Sequence, residues 1–463
     1  MIERAYGLTT DLYELTMAAA YFENGLHQPA LFDLFIRRLP EHRSYLVTAG
    51  LEQVLDYLSE LRFSPDQIDY LRKHPVFKKV SDAFFDYLAS FRFTGDVWAM
   101  PEGTAAFAIE PLLRVEGPII EAQIIETFLL STLNFQTMIA SKAARVVRAA
   151  QGRSVIEFGT RRAHGTEAGL FAARAAYIGG CIGTSNVEAG HLLGIPTFGT
   201  LAHSFVMSFD NEADAFRAFI KVFPDNATVL VDTYDTITAV KRLVQQYKDS
   251  AIPAVRLDSG DLCELSKQVR QILDDAGMTQ TRIFASSDLN EFRIADLISR
   301  GAQIDSFGVG TELATSYDAP ALSGVYKLSG LEENGQIKMR IKLSKDKGTY
   351  PGPKQVWRLA DSTGKYIRDV ISLAGESEPE IEQGGTAFAL LKPVMRRGEI
   401  VDRRNPGIAG LNPLRDRTLQ ELERLQSDLL SLETESRYPV SFSDDLEKAR
   451  DKIESQLIGM QWD

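Results

Sequence analysis

The central part of the chain alternates between short apolar runs and amphipathic segments. Seven apolar runs each end in a polar, glycine-rich tail, at residues 154–162, 179–186, 197–204, 227–235, 254–262, 282–290 and 305–313. The segments between them, such as TAVKRLVQQYKD and ELSKQVRQILDDAG, have helical periodicity. Strands that alternate with helices pair in parallel, because each crossover helix returns the chain to the same end of the sheet. The pattern predicts an α/β core.

Two arrangements of this core fit the pattern. Seven strand–helix units almost complete a (β/α) barrel, and GVYKL at residues 324–328 is a possible eighth strand. An open, doubly wound sheet is the alternative. Both arrangements bring the polar tails together at the carboxyl ends of the strands, where α/β proteins bind their ligands.

The flanking segments follow other patterns. We predict a helix at residues 9–24, a strand at 30–38, hairpins between 91 and 120, and a long helix at 121–150. Residues 336–372 are typical of antiparallel strands, and residues 411–461 of charged amphipathic helices. We therefore expect an N-terminal α+β domain at residues 1–130, a catalytic barrel-like domain at 131–330, and C-terminal strands and helices at 331–463 that pack back on both.

Composition narrows the class of protein. The 463 residues are 44% hydrophobic and 25% charged, as in globular proteins, and the net charge of −12 argues against nucleic-acid binding. Cys181 and Cys263 are too few for a disulfide framework, so we expect buried free thiols. No stretch has the length and apolarity of a membrane span or a signal peptide. We expect a cytoplasmic protein without a membrane partner.

The tail at residues 197–205 is the most distinctive. It follows Gly194-Ile195-Pro196 and reads as a short buried strand that breaks into small polar residues, with His203 three positions after Thr200. A histidine at a strand end caps a loop as readily as it takes part in chemistry. The polar residues in the other six tails are the evidence that distinguishes these two roles.

Those tails carry groups suited to phosphate and metal binding. Guanidinium groups, hydroxyls, and glycines that let backbone N–H groups approach a phosphate are supplied by Arg161, Arg162, Arg256, Ser286, Ser287, Gly308, Gly310 and Thr311. Carboxylates able to hold Mg²⁺ directly or through water are supplied by Asp232, Asp235, Asp258 and Asp288. Together they indicate a phosphorylated metabolite bound with a metal ion.

Several motifs are absent from the sequence. It has no Gly-x-x-x-x-Gly-Lys-Ser/Thr loop, no strand-linked Gly-x-Gly-x-x-Gly with an acidic partner, and no His-Glu-x-x-His. It also lacks the Gly-x-Ser-x-Gly elbow of hydrolases.

Eight segments resemble those of nicotinate phosphoribosyltransferases, in the same order from Thr10 to Val356. They are TDLYELTMAAAYF, EFGTRRAHG, GTSNVEAG, GTLAHSFVMSF, VRLDSGDL, SSDLNE, GVGTEL and KLSKDKGTYPGPKQV. The resemblance implies an incomplete or irregular (β/α) barrel of the type II phosphoribosyltransferase kind, with a separate α+β domain built from N-terminal and C-terminal segments. It also implies ATP-coupled transfer of phosphoribosyl from phosphoribosyl pyrophosphate to nicotinate, giving nicotinate mononucleotide and pyrophosphate in NAD salvage.

The resemblance further implies roles for individual residues. His203 matches a histidine that ATP phosphorylates transiently, and Thr200 a residue that contacts nicotinate. Tyr13 matches a tyrosine that stacks on the pyridine ring across the interface of a homodimer with shared active sites. Arg256 and Thr311, the latter beside Gly310, match positions that bind the phosphoribosyl phosphates. The expected substrate-binding set also includes Arg161, facing the phosphates or the nicotinate carboxylate, and Ser287.

The reaction suits these groups. Displacement at the anomeric carbon develops positive charge on the ribose and negative charge on the departing pyrophosphate. Mg²⁺ and arginine can stabilise the pyrophosphate, and a carboxylate the ribosyl cation. Asp258 and Asp288 are both candidates for that carboxylate, and the metal ligands stay open.

Two other functions are possible. A nicotinamide-specific transferase resembles this one but places an aspartate near Ser185-Asn186, where this chain has no carboxylate. A non-catalytic metabolite-binding protein on a decayed enzyme fold would have lost charged site residues, whereas Arg161, His203, Arg256, Asp258 and Asp288 are all present.

Overall fold

The computed structural model describes residues 5–247, 252–344, 348–382, 384–433 and 436–460. The chain divides into two compact units. The first comprises Met1–Met138, Ala321–Arg404 and Gln420–Asp463, and the second comprises Ile139–Pro320 and Asn405–Leu419. The α+β domain predicted from N-terminal and C-terminal segments is therefore present as the first unit.

Helices are present where they were predicted at residues 9–24 and 121–150, although the second region forms two helices rather than one. The bounds of the α-helices are α1 Leu12–Glu23, α2 Leu51–Glu60, α3 Pro65–Lys73, α4 Asp82–Ala89, α5 Ile119–Ile124, α6 Glu126–Ala149, α7 Thr166–Ile178, α8 Val187–Leu193, α9 His203–Met207, α10 Glu212–Val222, α11 Thr236–Tyr247, α12 Leu262–Asp275, α13 Glu291–Ser299, α14 Thr311–Ala314, α15 Ile408–Arg424 and α16 Asp444–Met460. Among the described residues, no helix is both long and apolar enough to cross a membrane.

The strands form four sheets. Their bounds are β1 Pro29–Ile36, β2 Leu46–Val47, β3 Asp96–Ala99, β4 Ala105–Ala106, β5 Pro111–Pro118, β6 Ser154–Glu157, β7 Gly183–Thr184, β8 Thr228–Leu230, β9 Ala254–Leu257, β10 Arg282–Ser287, β11 Ser306–Val309, β12 Gly324–Glu333, β13 Gln336–Met339, β14 Lys354–Ala360, β15 Tyr366–Leu373, β16 Thr386–Ala389, β17 Lys392–Arg396, β18 Glu399–Ile400 and β19 Val440–Phe442.

The first unit is built on mainly antiparallel sheets, with one parallel pair, β15 with β19. Its larger sheet has the order β13-β12-β1-β5-β3-β17-β18, and a smaller one has the order β16-β14-β15-β19. The central strand β1 pairs on both sides, with β12 and β5, and is buried along most of its length. Its apolar side chains join those of α2 and α4 in one core, including the fully buried Leu34, Val54 and Phe84. The sheet is stable because its inner face is covered by helices.

The second unit contains the parallel sheet, in the order β7-β6-β11-β10-β9-β8. Every pairing in it is parallel, as the strand–helix alternation predicted. Thr197 adds a single parallel bridge to Thr184 outside β7. The strands therefore follow the cyclic order of a (β/α) barrel, but the described residues show no pairing between the Thr197 segment and β8. The parallel sheet and separate α+β unit agree with the predicted fold class, and no closed barrel is seen.

The predicted eighth barrel strand is wrong. GVYKL lies in β12, which pairs antiparallel with β1 in the first unit. β12 continues beyond GVYKL into a hairpin, where Asn334 and Gly335 both have positive φ, 55° and 78°, and join β12 to β13 in two residues. Such a turn commits both strands to antiparallel pairing.

Two other expectations need correction. The segment at 197–204 is no buried strand, since Thr197 and Phe198 are exposed and only one neighbour pairs with them. The C-terminal stretch is interrupted by a 3₁₀ turn at Ser427–Leu430 and by β19, because Val440–Phe442 pair with the edge of β15. Cys181 and Cys263 are buried free thiols, as expected.

A buried arginine holds the smaller sheet of the first unit together. The Arg358 guanidinium donates to Asp369 at 2.7 Å and to Glu421 at 3.0 Å. Glu110 lies 3.9 Å from the same guanidinium and is fully buried. Burial first, and then the charge of Asp369, raise the pKa of Glu110 well above its ordinary value. A single guanidinium cannot balance three ionised carboxylates in this low-dielectric setting, so the neutral form of Glu110 is favoured.

Glu110→Gln tests this charge balance. A carboxyl group whose pKa is raised by folding stabilises the native state at low pH and loses that contribution as the pH rises from about 4.5 towards the folded pKa. Glutamine imitates the neutral acid and cannot ionise. In urea unfolding at pH 5 and pH 8, we expect the variant to gain on the order of 1 kcal/mol relative to the parent at the higher pH. The exposed Glu378→Gln is the control, and parallel pH profiles for parent and Glu110→Gln would contradict the assignment.

Candidate active site

The guanidinium of Arg256 connects three segments at the carboxyl edge of the parallel sheet. Its Nε donates to Ser286 Oγ at 2.7 Å, its Nη1 to Thr200 Oγ1 at 2.8 Å, and its Nη2 to Asp258 Oδ1 at 2.7 Å. Arg256 is near the end of β9, Ser286 lies in the neighbouring β10, and Thr200 lies in the loop before α9. A planar guanidinium makes such a fan of bonds in fixed geometry, which an ammonium group does not. The predicted pair Thr200 and Arg256 is thus in direct contact.

Asp258 is an ionised carboxylate within this network. Burial alone would raise its pKa, but the hydrogen bond from Ser286 and the charge of Arg256 hold that pKa below its ordinary value. Ser286 Oγ donates to Asp258 Oδ1 at 2.5 Å. The side chain keeps 28% exposure, so one face of the carboxylate is open to a ligand.

His203 stands at the start of α9 beside this carboxylate. Its Nε2 lies 3.8 Å from Asp258 Oδ2, and its Nδ1 lies 3.1 Å from Thr233 Oγ1. The ring is 42% exposed. If Nδ1 donates to the Thr233 hydroxyl, the lone pair is on Nε2, the nitrogen nearer Asp258.

Asp232 completes the cluster from the end of β8. Its Oδ2 accepts from the Asp258 backbone N–H at 2.9 Å and from Ser259 Oγ at 2.6 Å. Its Oδ1 is buried and has no hydrogen-bond partner among the described residues. A buried carboxylate oxygen without a donor is a position for water, a cation or a ligand N–H.

Glu157 organises the neighbouring loops and was not among the predicted site residues. It is fully buried at the end of β6, and burial raises its pKa. One oxygen accepts from the Gly159 N–H and the other from Thr184 Oγ1, at 2.5 Å. Thr184 Oγ1 in turn accepts from the Asn186 N–H at 3.0 Å. One carboxyl group therefore positions both the Arg161 turn and the Ser185-Asn186 turn.

The loops after β6 and β11 approach each other closely at glycine. A Cβ on Gly159 would lie 2.2 Å from the Ala314 Cβ and 2.7 Å from the Gly310 carbonyl oxygen. No larger residue fits there. Gly310 immediately precedes α14, which begins at Thr311. The tails that follow β6 and β11 thus lie side by side.

The remaining predicted residues do not hydrogen-bond to the Arg256 cluster within the described part of the chain. Arg161 is exposed in a 3₁₀ turn at Thr160–Arg162. Ser287, the last residue of β10, and Asp288 are both exposed, and Ser287 has a φ of 145°, which is unusual for a residue other than glycine. Such strain often occurs at functional sites. Asn186 caps α8 by accepting from the Ala189 N–H at 2.8 Å, while Ser185 is partly exposed.

Tyr13 belongs to the first unit. It lies in the first turn of α1 and is 47% exposed. Partial burial, followed by the charges of Glu126 and Glu14, raises the pKa of its phenol, so the hydroxyl is neutral at physiological pH. An exposed aromatic ring on a helix is available to a ligand or to another chain.

The four candidate metal carboxylates do not converge. Asp235 accepts from the Thr238 N–H at 2.8 Å at the start of α11, and Asp288 is exposed just beyond the end of β10. No group of three or more His, Cys, Asp or Glu side chains that could hold a metal ion occurs among the described residues. Asp232 and Asp258 remain as a neighbouring pair. Two carboxylates are sufficient for Mg²⁺ when water and substrate phosphates supply the other ligands.

Sequence signals for the unpredicted residues were weak. Glu157 was visible as a charge inside the apolar run SVIEF, a position that demands a buried partner. Thr233 had no distinguishing signal, because its role depends on a histidine thirty residues away in the chain. Asp261 and Asn290, within the recognised motifs, are helix caps of α12 and α13.

Comparison with known proteins agrees with this arrangement. Residues 8–134 match the family model described as the nicotinate phosphoribosyltransferase N-terminal domain, and residues 154–352 match the nicotinate phosphoribosyltransferase family. A nicotinate phosphoribosyltransferase of Mycobacterium tuberculosis is 47% identical over 442 residues, covering 94% of this chain and 91% of that protein. One from Bacillus subtilis is 43% identical over 378 residues, covering 80% of this chain and 76% of that protein.

Solved structures are similar as well. The crystal structure of human nicotinic acid phosphoribosyltransferase superposes with a TM-score of 0.82 at 27% identity, covering 96% of this chain and 100% of that one. Nicotinate-nucleotide pyrophosphorylase from Pyrococcus furiosus gives a TM-score of 0.72 at 26% identity, covering 91% and 96%. The two family matches and the relatives show that the chain belongs to the nicotinate phosphoribosyltransferase family.

Proposed function

We propose that the protein transfers phosphoribosyl from phosphoribosyl pyrophosphate to nicotinate, giving nicotinate mononucleotide and pyrophosphate in NAD salvage. The observation that carries the proposal is the Arg256 network, which joins Thr200, Ser286 and Asp258 beside His203. The network offers an arginine for an anionic substrate and an ionised carboxylate for a ribosyl cation. A histidine lies 3.8 Å from that carboxylate. Family membership supports the same reaction.

The bond changes need no strong base. The pyridine nitrogen of nicotinate attacks the anomeric carbon with its own lone pair, while the bond from that carbon to the pyrophosphate oxygen breaks. Asp258 stabilises the positive charge that develops on the ribose, since its depressed pKa keeps it ionised and part of it stays exposed. Asp288 is the second candidate for this role. We propose that Arg256, Gly310 and Thr311 bind the phosphates, with Ser287 and Arg161 completing the substrate site and Thr200 contacting nicotinate.

ATP coupling depends on His203. In the proposed step, Nε2 attacks the γ-phosphorus of ATP, the bond to the β–γ bridging oxygen breaks, and ADP leaves. Thr233 supports this by holding Nδ1 at 3.1 Å, which fixes the ring orientation. Phosphohistidine then adds negative charge close to Asp258, so its hydrolysis during turnover alters the electrostatics of the site. His203 is the coupling residue, and it forms no bond to the ribose.

Magnesium fits the carboxylates that are present. Asp232 and Asp258 would hold the ion together with phosphate oxygens, and the unpartnered Asp232 Oδ1 is the observation in favour. When bound, Mg²⁺ neutralises charge on the departing pyrophosphate.

The proposal extends to assembly and location. We propose a cytoplasmic homodimer in which the exposed Tyr13 of one chain stacks on the pyridine ring bound by the other. The ring would approach as a neutral phenol, since its pKa is raised.

The reaction itself is directly testable. With Mg²⁺ and ATP present, we expect pyrophosphate release only when both nicotinate and phosphoribosyl pyrophosphate are supplied, measured by a coupled pyrophosphate assay. Nicotinamide run side by side should give a rate lower by roughly two orders of magnitude, because Ser185 and Asn186 supply no carboxylate to accept from its amide. Release of no pyrophosphate under these conditions, or faster release with nicotinamide, would refute the assignment.

His203→Ala separates ATP coupling from transfer. We expect the acid-labile, base-stable phosphoenzyme formed from γ-labelled ATP to disappear, and the ADP released per nicotinate mononucleotide to fall. Transfer without ATP should persist, with kcat/KM lowered by roughly 5- to 150-fold relative to the ATP-stimulated parent. The exposed His191→Ala on α8 is the matched control and should retain the label. If a folded His203→Ala protein makes no product at all, the residue has a larger role than coupling.

Arg256→Lys tests whether the three hydrogen bonds of the Arg256 guanidinium are required for activity. Lysine keeps the positive charge but cannot donate to Thr200, Ser286 and Asp258 together. We expect kcat/KM for phosphoribosyl pyrophosphate to fall by roughly 10²- to 10³-fold, as measured by initial rates. Arg282→Lys, at the exposed amino end of the neighbouring β10, provides the control and should be neutral. Near-parental kinetics for Arg256→Lys would mean that charge alone suffices.

A further inference from the structure

The α+β unit contains a small cavity of about 150 Å³. Its walls are mainly apolar and include the aromatic side chains of Phe35, Tyr350 and Phe442. The Tyr350 and Phe442 rings stack with centroids 3.6 Å apart. An apolar cavity of about this volume can hold one benzene-sized ring.

Two buried charged residues also line this cavity. Asp33 is in the middle of β1 and Lys354 begins β14, with 3% and 5% exposure. Lys354 Nζ donates to Asp33 Oδ2 at 2.7 Å and to the Gly352 carbonyl at 2.9 Å. A charged residue at the centre of a buried strand is costly unless it is paired, so the two side chains fix each other.

The pair leaves one acceptor and one donor unused. Asp33 Oδ1 is buried and has no hydrogen-bond partner among the described residues. An ammonium group has three N–H donors, and the described contacts of Lys354 account for two. Two further cations lie opposite Asp33 on the neighbouring strands, Lys327 and Arg114. Lys327 also lines the cavity, and its Nζ donates to the Tyr326 carbonyl at 2.8 Å and lies 3.7 Å from Glu126 Oε1. Arg114 Nη1 donates to the Lys354 carbonyl at 2.6 Å, and its Nε lies 2.9 Å from Glu116 Oε1. Burial lowers the pKa of Lys354, and the charge of Asp33 opposes that effect.

An acceptor and a donor lie side by side next to an apolar space with aromatic walls. Together they specify the chemical class of ligand that would fit the cavity. A primary carboxamide or a lactam presents an N–H next to a carbonyl oxygen, so it can donate to Asp33 Oδ1 and accept from Lys354 Nζ. A carboxylate ligand would lack the N–H and meet the Asp33 charge. A hydrocarbon would leave both polar groups unsatisfied, which is costly in a buried site.

We propose that this cavity binds a neutral, single-ring aromatic amide or lactam, held by Asp33 and Lys354. The proposal does not depend on the transferase function, because every residue of the cavity lies in the first unit, away in sequence from the Arg256 cluster. The amide of a pyridine carboxylic acid belongs to this ligand class, whereas the acid itself does not.

Methyl NMR with benzamide as the probe tests the proposal on the full chain. Ile109 and Ile371 line the cavity and report binding there through their labelled methyl groups. We expect benzamide to shift both signals saturably and benzoate at equal concentration to leave them unchanged. A benzoate response equal to that of benzamide, or no response to benzamide, would overturn the proposal.

A double substitution distinguishes hydrogen bonding to the ligand amide from the fit of the ligand ring in the cavity. Asp33→Leu with Lys354→Met keeps a similar volume, and buried ion pairs often tolerate replacement by apolar residues. We expect the benzamide dissociation constant to rise roughly tenfold or more, while benzene, with no hydrogen bonds to lose, binds at least as well as to the parent. The exposed pair Asp445 and Lys448 on α16, changed to Leu and Met, is the matched control.

Unchanged benzamide affinity in the paired variant would show that the polar pair does not recognise the amide. If the paired variant fails to fold by circular dichroism, Asp33→Asn replaces it. That change removes the carboxylate acceptor while keeping the side-chain size, and undiminished benzamide binding to it would equally refute the proposal.

Discussion

The guanidinium of Arg256 is the constraint on which the edge of the parallel sheet depends. Its side chain is 12% exposed and donates to Thr200, Ser286 and Asp258, each in a different segment, at 2.7–2.8 Å. Because the fork is planar and permanently charged, it fixes the relative position of these segments without any change of protonation. It also compensates the Asp258 charge, so that a carboxylate can stay ionised in a partly buried position. The hydrogen bonds of Arg256 therefore position Thr200, Ser286 and Asp258 relative to one another.

Asp258 in turn contacts the next residues of the site. Its backbone N–H donates to Asp232, and its second oxygen faces His203. His203 is held from the other side by Thr233, in the same tail as Asp232. Strand ends that are adjacent in the sheet thus become a continuous polar network. Donors that are already oriented in this way are the kind of arrangement by which a preorganised site stabilises charge.

Buried charge organises the interior of both units by the same principle. Lys142 is completely buried and lies 2.6 Å from Glu291 and 2.9 Å from Asp318. In the first unit, Arg358 and the Asp33–Lys354 pair hold strands of the antiparallel sheets. Such pairs contribute little net stability, because desolvation offsets the attraction, but removing one partner leaves an uncompensated charge.

The sequence by itself determined the class of fold and the chemistry of the strand ends. Periodicity of the apolar positions is a local property, so the parallel strands and their helices could be read directly, and the motifs identified Thr200, His203, Arg256 and Asp258. Local pattern could not tell that GVYKL pairs with β1, since that pairing depends on a partner almost three hundred residues away in the chain.

Only the tertiary structure decided which polar residues meet. Glu157, Thr233 and Asp232 acquire their roles from neighbours on other strands, while Asp235, Asp261 and Asn290 turn out to cap helices. The physical reason is that a hydrogen bond needs about 3 Å and a defined angle, and the spacing of residues along a chain does not specify either across a sheet.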